Sequence, residues 1–389
     1  MTTLEDLSPA PLLREMVRIP SVSSISNRPV MEFVKSVLQP SGWHIRELPY
    51  NDAAGVEKLN LIATPPCQRA DDFSVDLAFV CHTDTVPYNV AWPHAVDPET
   101  KDGMLHGCGA CDVKGFLACL LAAFASVPVA QYASTAALVL TAEEEIGCLG
   151  ARRLVDAGLL RPRHVVVGEP TSLHPARAGK GYGLAEIRVQ GKEAHSAHPA
   201  QGASAIYRAA QLIGRIEQLA ASLEKSTHHK KHHLFDPPFT TINVGTIEGG
   251  TAKNIVSGEC KFLLEWRPVP GEADGMVPDA VRNIIEGLRH QDPDFTCKLQ
   301  VIREQAGFET REGSPLVRRW IELTGRSAIG VSFGTEAPLF SKLAEDVLVV
   351  GPGDMCTAHS ERECVPAEEL ELCVSYLRHL VMHPLDAAR

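Results

Sequence analysis

Short apolar runs alternate with stretches of helical length in the first half of the chain. Buried strands that continue into polar loops are predicted for three runs, VDLAFVCHTDTVP (75–87), TAALVLTAEEEIG (135–147) and HVVVGEP (164–170). Between the first two, GFLACLLAAFASV (115–127) is apolar nearly all round and predicts a buried helix, and another helix is expected around Ala151–Ala157. This alternation is typical of a mostly parallel sheet with helices on both faces.

The pattern changes after residue 178. Leu184, Glu186, Arg188 and Gln190 alternate with Ala185, Ile187 and Val189, which is typical of an antiparallel sheet with one solvated side. The elements expected next are a helix from about Ala203 to Lys225, strands within 240–250 and 257–269, a helix near Pro278–His290 and a strand near Thr296–Ile302. This order predicts a compact α+β module of ferredoxin-like type.

From Pro315 the chain returns to a helix, a glycine turn and an apolar strand, and it ends in a helix from about Ala367. We therefore expect an α/β fold with a central mostly parallel sheet between helices. Its first domain is discontinuous (1–178 and 305–389), and the α+β module (179–304) is inserted into it.

Composition narrows the class of protein. A chain of 389 residues exceeds one ordinary core, and 44% hydrophobic with 22% charged residues is typical of a folded globular protein. The net charge of −11 argues against a nucleic-acid binder, and no apolar run approaches the roughly 18 residues that span a bilayer. The first residues lack the pattern of a secretory signal, and the eleven cysteines show no regular spacing. We expect a cytoplasmic protein with free thiols.

Histidines and carboxylates follow the predicted strands. The candidates are His82, Asp84, Asp112, Glu143–Glu145, Glu169 and His359. Taken singly, His-x-Asp is more often a loop hydrogen bond and three glutamates are more often a solvated turn. The carboxyl ends of parallel strands meet in one crevice, however, and two histidines with several carboxylates suit a pair of zinc ions. We expect His82 to bind metal and the Asp84 carboxylate to hold its second ring nitrogen.

Three further motifs are weaker. Cys108 and Cys111 form a C-x-x-C with no second pair to complete a zinc site, so thiols packed in a tight turn are the preferred interpretation. The run His228–His233 contains two lysines, which favours a solvated loop over a metal site. Gly179, Gly181 and Gly183 precede no predicted helix, which argues against a dinucleotide site.

These residues carry a resemblance to a known family. The chain resembles the M20 family of co-catalytic zinc amidohydrolases and peptidases, and the match runs in order through both predicted domains. It comprises HTDTVP (82–87), GCGACDVKG (107–115), TAEEEIG (141–147), GEPT (168–171), GKEAHSAHP (191–199) and His359.

The resemblance implies a set of roles. Asp112 would bridge two Zn²⁺ ions per subunit, for which Co²⁺ is a possible substitute, with His82 and Glu169 at one site and Glu145 and His359 at the other. Glu144 would be the general base, and the Asp112–Val113 peptide bond would be cis. The inserted domain would act as a lid and dimerisation domain. From it His195 would reach the active site of the other subunit of a homodimer, while Asn254 and Arg267 would hold the substrate carboxylate.

Within the family, SFGTEAPLF (332–340) and GPGDMCTAH (351–359) are most similar to the branch that acts on N-acetyl-L-ornithine in arginine biosynthesis. This implies release of acetate and L-ornithine, with Glu336 as a hypothetical partner of the distal amine. Acetylcitrulline, succinyl-diaminopimelate and dipeptides remain alternative substrates. A non-catalytic metal-binding protein is a third alternative, against which Glu144 argues because a pure binder needs no base.

Overall fold

The computed structural model describes residues 7–70, 72–225 and 232–385. Within these residues the chain forms nine α-helices, numbered in chain order: α1 (Pro9–Val17), α2 (Arg28–Leu38), α3 (Lys114–Ser126), α4 (Leu149–Asp156), α5 (Ala205–Glu224), α6 (Met276–Gln291), α7 (Pro315–Thr324), α8 (Ala337–Phe340) and α9 (Ala367–Met382). None of the helices in the described residues is both long and apolar enough to cross a membrane.

The same residues form sixteen strands: β1 (His44–Asn51), β2 (Glu57–Thr64), β3 (Ser74–His82), β4 (Glu99–Lys101), β5 (Met104–His106), β6 (Ala136–Thr141), β7 (Arg161–Val167), β8 (Ala176–Gly179), β9 (Tyr182–Gln190), β10 (Thr241–Gly249), β11 (Glu259–Arg267), β12 (Thr296–Gln305), β13 (Phe308–Glu309), β14 (Ile329–Val331), β15 (Asp346–Val349) and β16 (Cys364–Pro366).

The chain folds into two compact units. The first contains the described residues up to Arg177, together with Glu309–Ile329 and the chain from Thr335, and the second contains Ala178–Phe308 and Gly330–Gly334. The sequence analysis had placed Ala178, residues 305–308 and residues 330–334 in the first domain. The structure instead groups them with the inserted unit.

The central sheet has the strand order β1-β2-β6-β3-β7-β15-β8-β13, with β14 beside β8. Strands β6, β3, β7 and β15 are parallel, and the antiparallel pair β1 and β2 extends this sheet on the β6 side. Along β3, Phe79 belongs to the main core, while Ala78 and Val80 point the other way and are equally buried. Both faces of the sheet are therefore covered, and the predicted fold class is confirmed.

Helix α3 is enclosed by protein. Every residue from Lys114 to Phe124 is buried, which confirms the prediction from its nearly uniform apolar surface. Helices α1, α2, α7 and α9 contribute to the same core. Because α3 begins two residues after Asp112, its burial fixes the position of the turn that carries this carboxylate.

The second unit contains an antiparallel sheet in the order β10-β11-β9-β12. Ala185, Ile187 and Val189 of β9 are fully buried and pack with α5 and α6, whereas Arg188 and Gln190 are exposed. The predicted alternation is confirmed. Of the histidine-rich run, residues 228–231 lie outside the described residues.

Candidate metal centre

The loops that carry the candidate ligands leave neighbouring strands at the same edge of the sheet. His82 is the last residue of β3, the glutamates 143–145 follow β6, and Glu169 follows β7. Strand β3 pairs in parallel with both β6 and β7, and β15, which precedes the loop of His359, pairs in parallel with β7. Parallel pairing brings these strand ends, and therefore the side chains after them, into one crevice.

Two overlapping groups of side chains have the geometry to hold a metal ion. The first group is His82, Asp112 and Glu169, all buried, and the second is Asp112, Glu145 and His359. Within each group the ligand atoms lie within 4.8 Å of one another. Asp112 belongs to both groups, so the structure brings together all five side chains that the resemblance implied as ligands.

Asp112 faces one histidine with each of its oxygens. His82 Nε2 lies 3.0 Å from Asp112 Oδ1, and His359 Nε2 lies 3.1 Å from Asp112 Oδ2 and 3.2 Å from Glu145 Oε2. One carboxylate that presents a separate oxygen to each group is the arrangement that a bridging ligand requires. The Asp112–Val113 peptide bond is cis, as the resemblance predicted.

The charges of the centre are unbalanced. Burial raises the pKa of Asp112, but the hydrogen bonds from His359 and His82 outweigh it and bring the pKa below its usual range. Burial, and next the nearby Asp112, hold the pKa of Glu169 well above its usual range. Hydrogen bonds to Asp112 and Glu145 raise the pKa of His359 to about 10. The two imidazoles therefore supply too little positive charge to balance the clustered carboxylates.

The donor set fits a divalent metal pair. Glu145 Oε1 and Glu169 Oε1 are buried and, among the residues that the structure describes, have no hydrogen-bond partner. Buried carboxylate oxygens without partners are unfavourable unless a cation binds them. Imidazole and carboxylate ligands in this ratio suit Zn²⁺ and related divalent ions.

Glu144 lies beside these ligands and belongs to neither group. The pKa of Glu144 is raised to about 8, mainly by burial; His82 opposes this shift, and the nearby Glu145 and Glu336 add to it. The loop that carries it closes at Gly150, whose N–H donates to Ala142 O at 3.0 Å. A Cβ at Gly150 would lie 2.3 Å from the same oxygen, so only glycine fits this turn.

The predicted contact of the Asp84 carboxylate was wrong. The main-chain oxygen of Asp84, at 3.0 Å, is the hydrogen-bond partner of His82 Nδ1, and the nearer carboxylate oxygen lies 3.7 Å away. The carboxylate instead accepts hydrogen bonds from the Glu144 and Glu145 main-chain N–H groups at 3.1 and 3.4 Å. It also accepts a hydrogen bond from Ser23 Oγ at 2.6 Å. Asp84 thus positions the loop of the candidate base.

The sequence analysis missed Glu363. This residue is 2% exposed, and its Oε1 accepts hydrogen bonds from the N–H groups of Cys111 and Asp112, both at 3.2 Å. Burial raises the pKa of Glu363 to about 7, with a further contribution from Asp112. No sequence motif indicates this role, because the partners are main-chain groups some 250 residues away along the chain.

The C-x-x-C cysteines are buried free thiols within the metal loop. Cys108 Sγ lies 3.9 Å from Val86 O, and Cys111 Sγ lies 3.7 Å from both Thr357 Oγ1 and Glu363 Oε1. Burial raises the pKa of Cys108 to about 11, and burial also raises that of Cys111. Such thiols are poor nucleophiles and poor metal ligands. They fill the turn, as the sequence analysis preferred.

Glu336 lies close to the centre and is 1% exposed. Neither of its carboxylate oxygens has a hydrogen-bond partner of good geometry among the described residues. Burial raises the pKa of Glu336 to about 7, which His82 and Thr141 partly oppose. The structure therefore provides a buried carboxylate that lacks a cationic partner.

The remaining candidates lie in the second unit. His195 and Asn254 are exposed on adjacent loops, where Ser196 N donates to Asn254 O at 3.0 Å. His195 Nδ1 accepts a hydrogen bond from Ala197 N at 3.1 Å, which fixes the ring and leaves Nε2 available. Arg267 ends β11, donates to Glu265 at 2.8 Å and has its guanidinium 4.5 Å from the centre of the Tyr182 ring.

Comparisons with known proteins identify the family. Residues 78–383 match the model of Peptidase family M20/M25/M40. A protein of Myxococcus xanthus described as acetylornithine deacetylase is 43% identical over 371 residues, which cover 95% of this chain and 96% of that protein.

Solved structures share the fold at low identity. A tripeptidase from Staphylococcus aureus has a TM-score of 0.76 and 21% identity, over 98% of this chain and 99% of that one. A dinuclear metal-binding M20 peptidase from Bacillus subtilis has a TM-score of 0.68 and 15% identity, over 96% of each chain. The family inferred from the motifs is thus confirmed, and the chain belongs to Peptidase family M20/M25/M40.

Proposed function

We propose that this protein is a dinuclear metal-dependent amidohydrolase that converts N-acetyl-L-ornithine to L-ornithine and acetate, a step of arginine biosynthesis. The observation that carries the proposal is the pair of ligand groups sharing Asp112 beside Glu144. The 43% identity to an acetylornithine deacetylase over nearly the full chain supports the choice of substrate. The eleven free cysteines fit a reducing compartment, and we place the activity in the cytoplasm.

The metal ligands follow from the two groups. We assign His82 and Glu169 to one ion, Glu145 and His359 to the other, and Asp112 to both. Zinc is the proposed metal, two ions per chain, with Co²⁺ as a possible substitute because it accepts similar ligands. When bound, the pair supplies the Lewis acidity that an amide carbonyl needs for attack by water.

Glu144 is the proposed general base. Its carboxylate takes a proton from the water that attacks the acetyl carbonyl carbon, and it delivers that proton to the ornithine nitrogen as the C–N bond breaks. Proton transfer by a positioned base of this kind contributes roughly 100- to 10,000-fold to the rate.

We assign His195, Asn254 and Arg267 to the substrate, and we propose that the second unit forms a homodimer that brings His195 to the partner's centre. The edge strand β10 is largely exposed, and Tyr207 at the start of α5 is 76% exposed, which suits an interface between copies. His195→Ala should lower kcat strongly while zinc content stays constant. An equal loss of zinc would contradict this role.

Glu336 is the proposed partner of the distal ammonium of ornithine, since it is a buried carboxylate without a cation. The ureido group of N-acetyl-L-citrulline is neutral and offers a matched comparison. Glu336→Gln should raise the KM for N-acetyl-L-ornithine and leave that for N-acetyl-L-citrulline nearly unchanged. An unchanged KM for N-acetyl-L-ornithine would remove the assignment.

The function is tested by acetate release from N-acetyl-L-ornithine by the zinc-loaded protein. N-acetyl-L-citrulline, N-succinyl-diaminopimelate (followed by succinate release) and a dipeptide run beside it, with Glu144→Ala as the control. A preference for N-acetyl-L-ornithine that is lost in the variant is the expected result. Preference for another substrate would contradict the proposed substrate but not the proposed metal-dependent hydrolysis. Inactivity on every substrate would favour a metal-binding protein without catalysis.

A further inference from the structure

Cys148 touches the candidate base. This residue lies at the turn into α4 and is fully buried, with 0% of its surface exposed. Its Sγ donates a hydrogen bond to Glu144 Oε1, with the two atoms 3.3 Å apart.

The backbone of Cys148 is in an unusual conformation. Its φ of 54° and ψ of 35° lie in the left-handed region, which is unfavourable for residues with a Cβ and freely adopted by glycine. In this conformation the Cys148 N–H donates to Glu144 O at 2.9 Å while its thiol reaches the Glu144 side chain. One residue thus holds both the main chain and the carboxylate of Glu144. Strained positions that persist next to a reactive group are characteristic of functional sites.

We propose that Cys148 is a positioning residue, whose thiol holds Glu144 Oε1 so that Oε2 faces the attacking water. The inference rests on the proposed function of Glu144 as the base. Without this bond the carboxylate rotates about its last side-chain torsion, which is a broad and soft one, and the share of molecules with the oxygen aligned falls. The thiol itself takes no part in the reaction.

Three substitutions separate positioning from packing. Cys148→Ala removes the donor and should lower kcat about tenfold, the scale of one hydrogen bond to a charged acceptor, with KM and zinc content unchanged. Cys148→Ser keeps a donor and should recover most of the loss. Cys148→Gly also removes the donor but relieves the left-handed strain, so it should lower kcat while the melting temperature stays within a few degrees of the wild type.

Cys119→Ala is the matched control. Cys119 is another fully buried thiol of the first unit, but it donates to Leu370 O at 3.4 Å and not to a residue of the centre. Its removal should leave kcat unchanged. If Cys148→Gly keeps the wild-type kcat, or if Cys148→Ser is as slow as Cys148→Ala, the positioning role is overturned.

Infrared spectroscopy tests the contact without any turnover. The S–H stretching band of Cys148, isolated as the difference between wild type and Cys148→Ser, should shift when Glu144→Gln replaces the charged acceptor. An unshifted band means that the thiol does not donate to Glu144 and overturns the inference. If the wild type hydrolyses no substrate, the proposed function fails while this measurement still decides the contact. If the wild type is active and Cys148→Ala is equally active, the inference alone fails.

Discussion

Asp84→Asn tests how the loop of the candidate base is held. Asp84 Oδ1 accepts from Glu144 N, and Oδ2 accepts from Ser23 Oγ and from Glu145 N. Asparagine has nearly the same size but only one acceptor oxygen. Whichever way the new amide turns, its NH₂ group faces one of the two main-chain N–H donors.

The magnitude follows from the burial of the site. Asp84 is 2% exposed, so water cannot replace the lost acceptor. Loss of one charge-assisted hydrogen bond with an N–H left unpaired costs about 1.5–3 kcal/mol of unfolding free energy. For a domain of roughly 250 residues this corresponds to a fall in melting temperature of about 3–6 °C. A shift of the main chain at Glu144 by a fraction of an ångström should lower kcat by roughly 10- to 100-fold.

Asp76→Asn is the matched control for this measurement. The Asp76 carboxylate accepts two hydrogen bonds, from Thr135 N and Thr135 Oγ1; both go to Oδ2, and the site is exposed. An asparagine oxygen can keep both bonds, so stability and kcat should stay near wild type. Thermal unfolding, kcat on N-acetyl-L-ornithine and zinc content are measured for both variants. If Asp84→Asn behaves like Asp76→Asn, the loop is not held by this carboxylate.

Three other predictions concern metal binding and pH. Glu363→Ala should weaken zinc binding about 10- to 100-fold by equilibrium titration, whereas Glu363→Gln should keep most of it because a single oxygen serves both N–H groups. Zinc added to chelator-treated protein should raise the melting temperature, and Glu169→Ala should bind roughly half as much zinc by elemental analysis. Burial lowers the pKa of Lys180 to about 8, so between pH 8 and 10 the unfolded chain holds the extra proton and stability rises with pH. Unfolding curves at both pH values should show that Lys180→Met removes about 1–2 kcal/mol of this rise.

The elements that carry the ligands could be predicted from sequence because their patterns are uninterrupted. Strand β6 and the ends of β3 and β7 that lead to the ligands are buried on both faces and are therefore continuous apolar runs in the sequence. Helix α3 is apolar all round for the same reason. The pair β1 and β2 and the helix α2 were not predicted. Edge strand β1, HIRELPYN, is only half-buried and shows no regular alternation, so its sequence carries little signal.

The contacts that orient the ligands could not be predicted, for a different physical reason. Sequence patterns report which side chains are buried, but Asp84 and Glu363 are anchored by main-chain N–H groups, which every residue except proline possesses. The motif His82-x-Asp84 suggested a bond between the two side chains. The strand end instead brings the main-chain oxygen of Asp84 to the ring and turns its carboxylate to the neighbouring loop.

The same geometry predicts that metal binding stabilises the centre. The carboxylates of Asp112, Glu145 and Glu169 converge in a buried crevice, where the hydrogen-bonded cations are the imidazoles of His82 and His359. Both imidazoles donate hydrogen bonds to Asp112, and these bonds lower its pKa. Little positive charge is left for Glu169, whose pKa is raised. Three further buried acids, which belong to neither ligand group, add to the negative potential of the centre: Asp84, Glu336 and Glu363. Binding of two divalent cations would reverse this imbalance. We therefore expect folding of the loops and metal binding to be coupled, so that metal affinity contributes directly to stability.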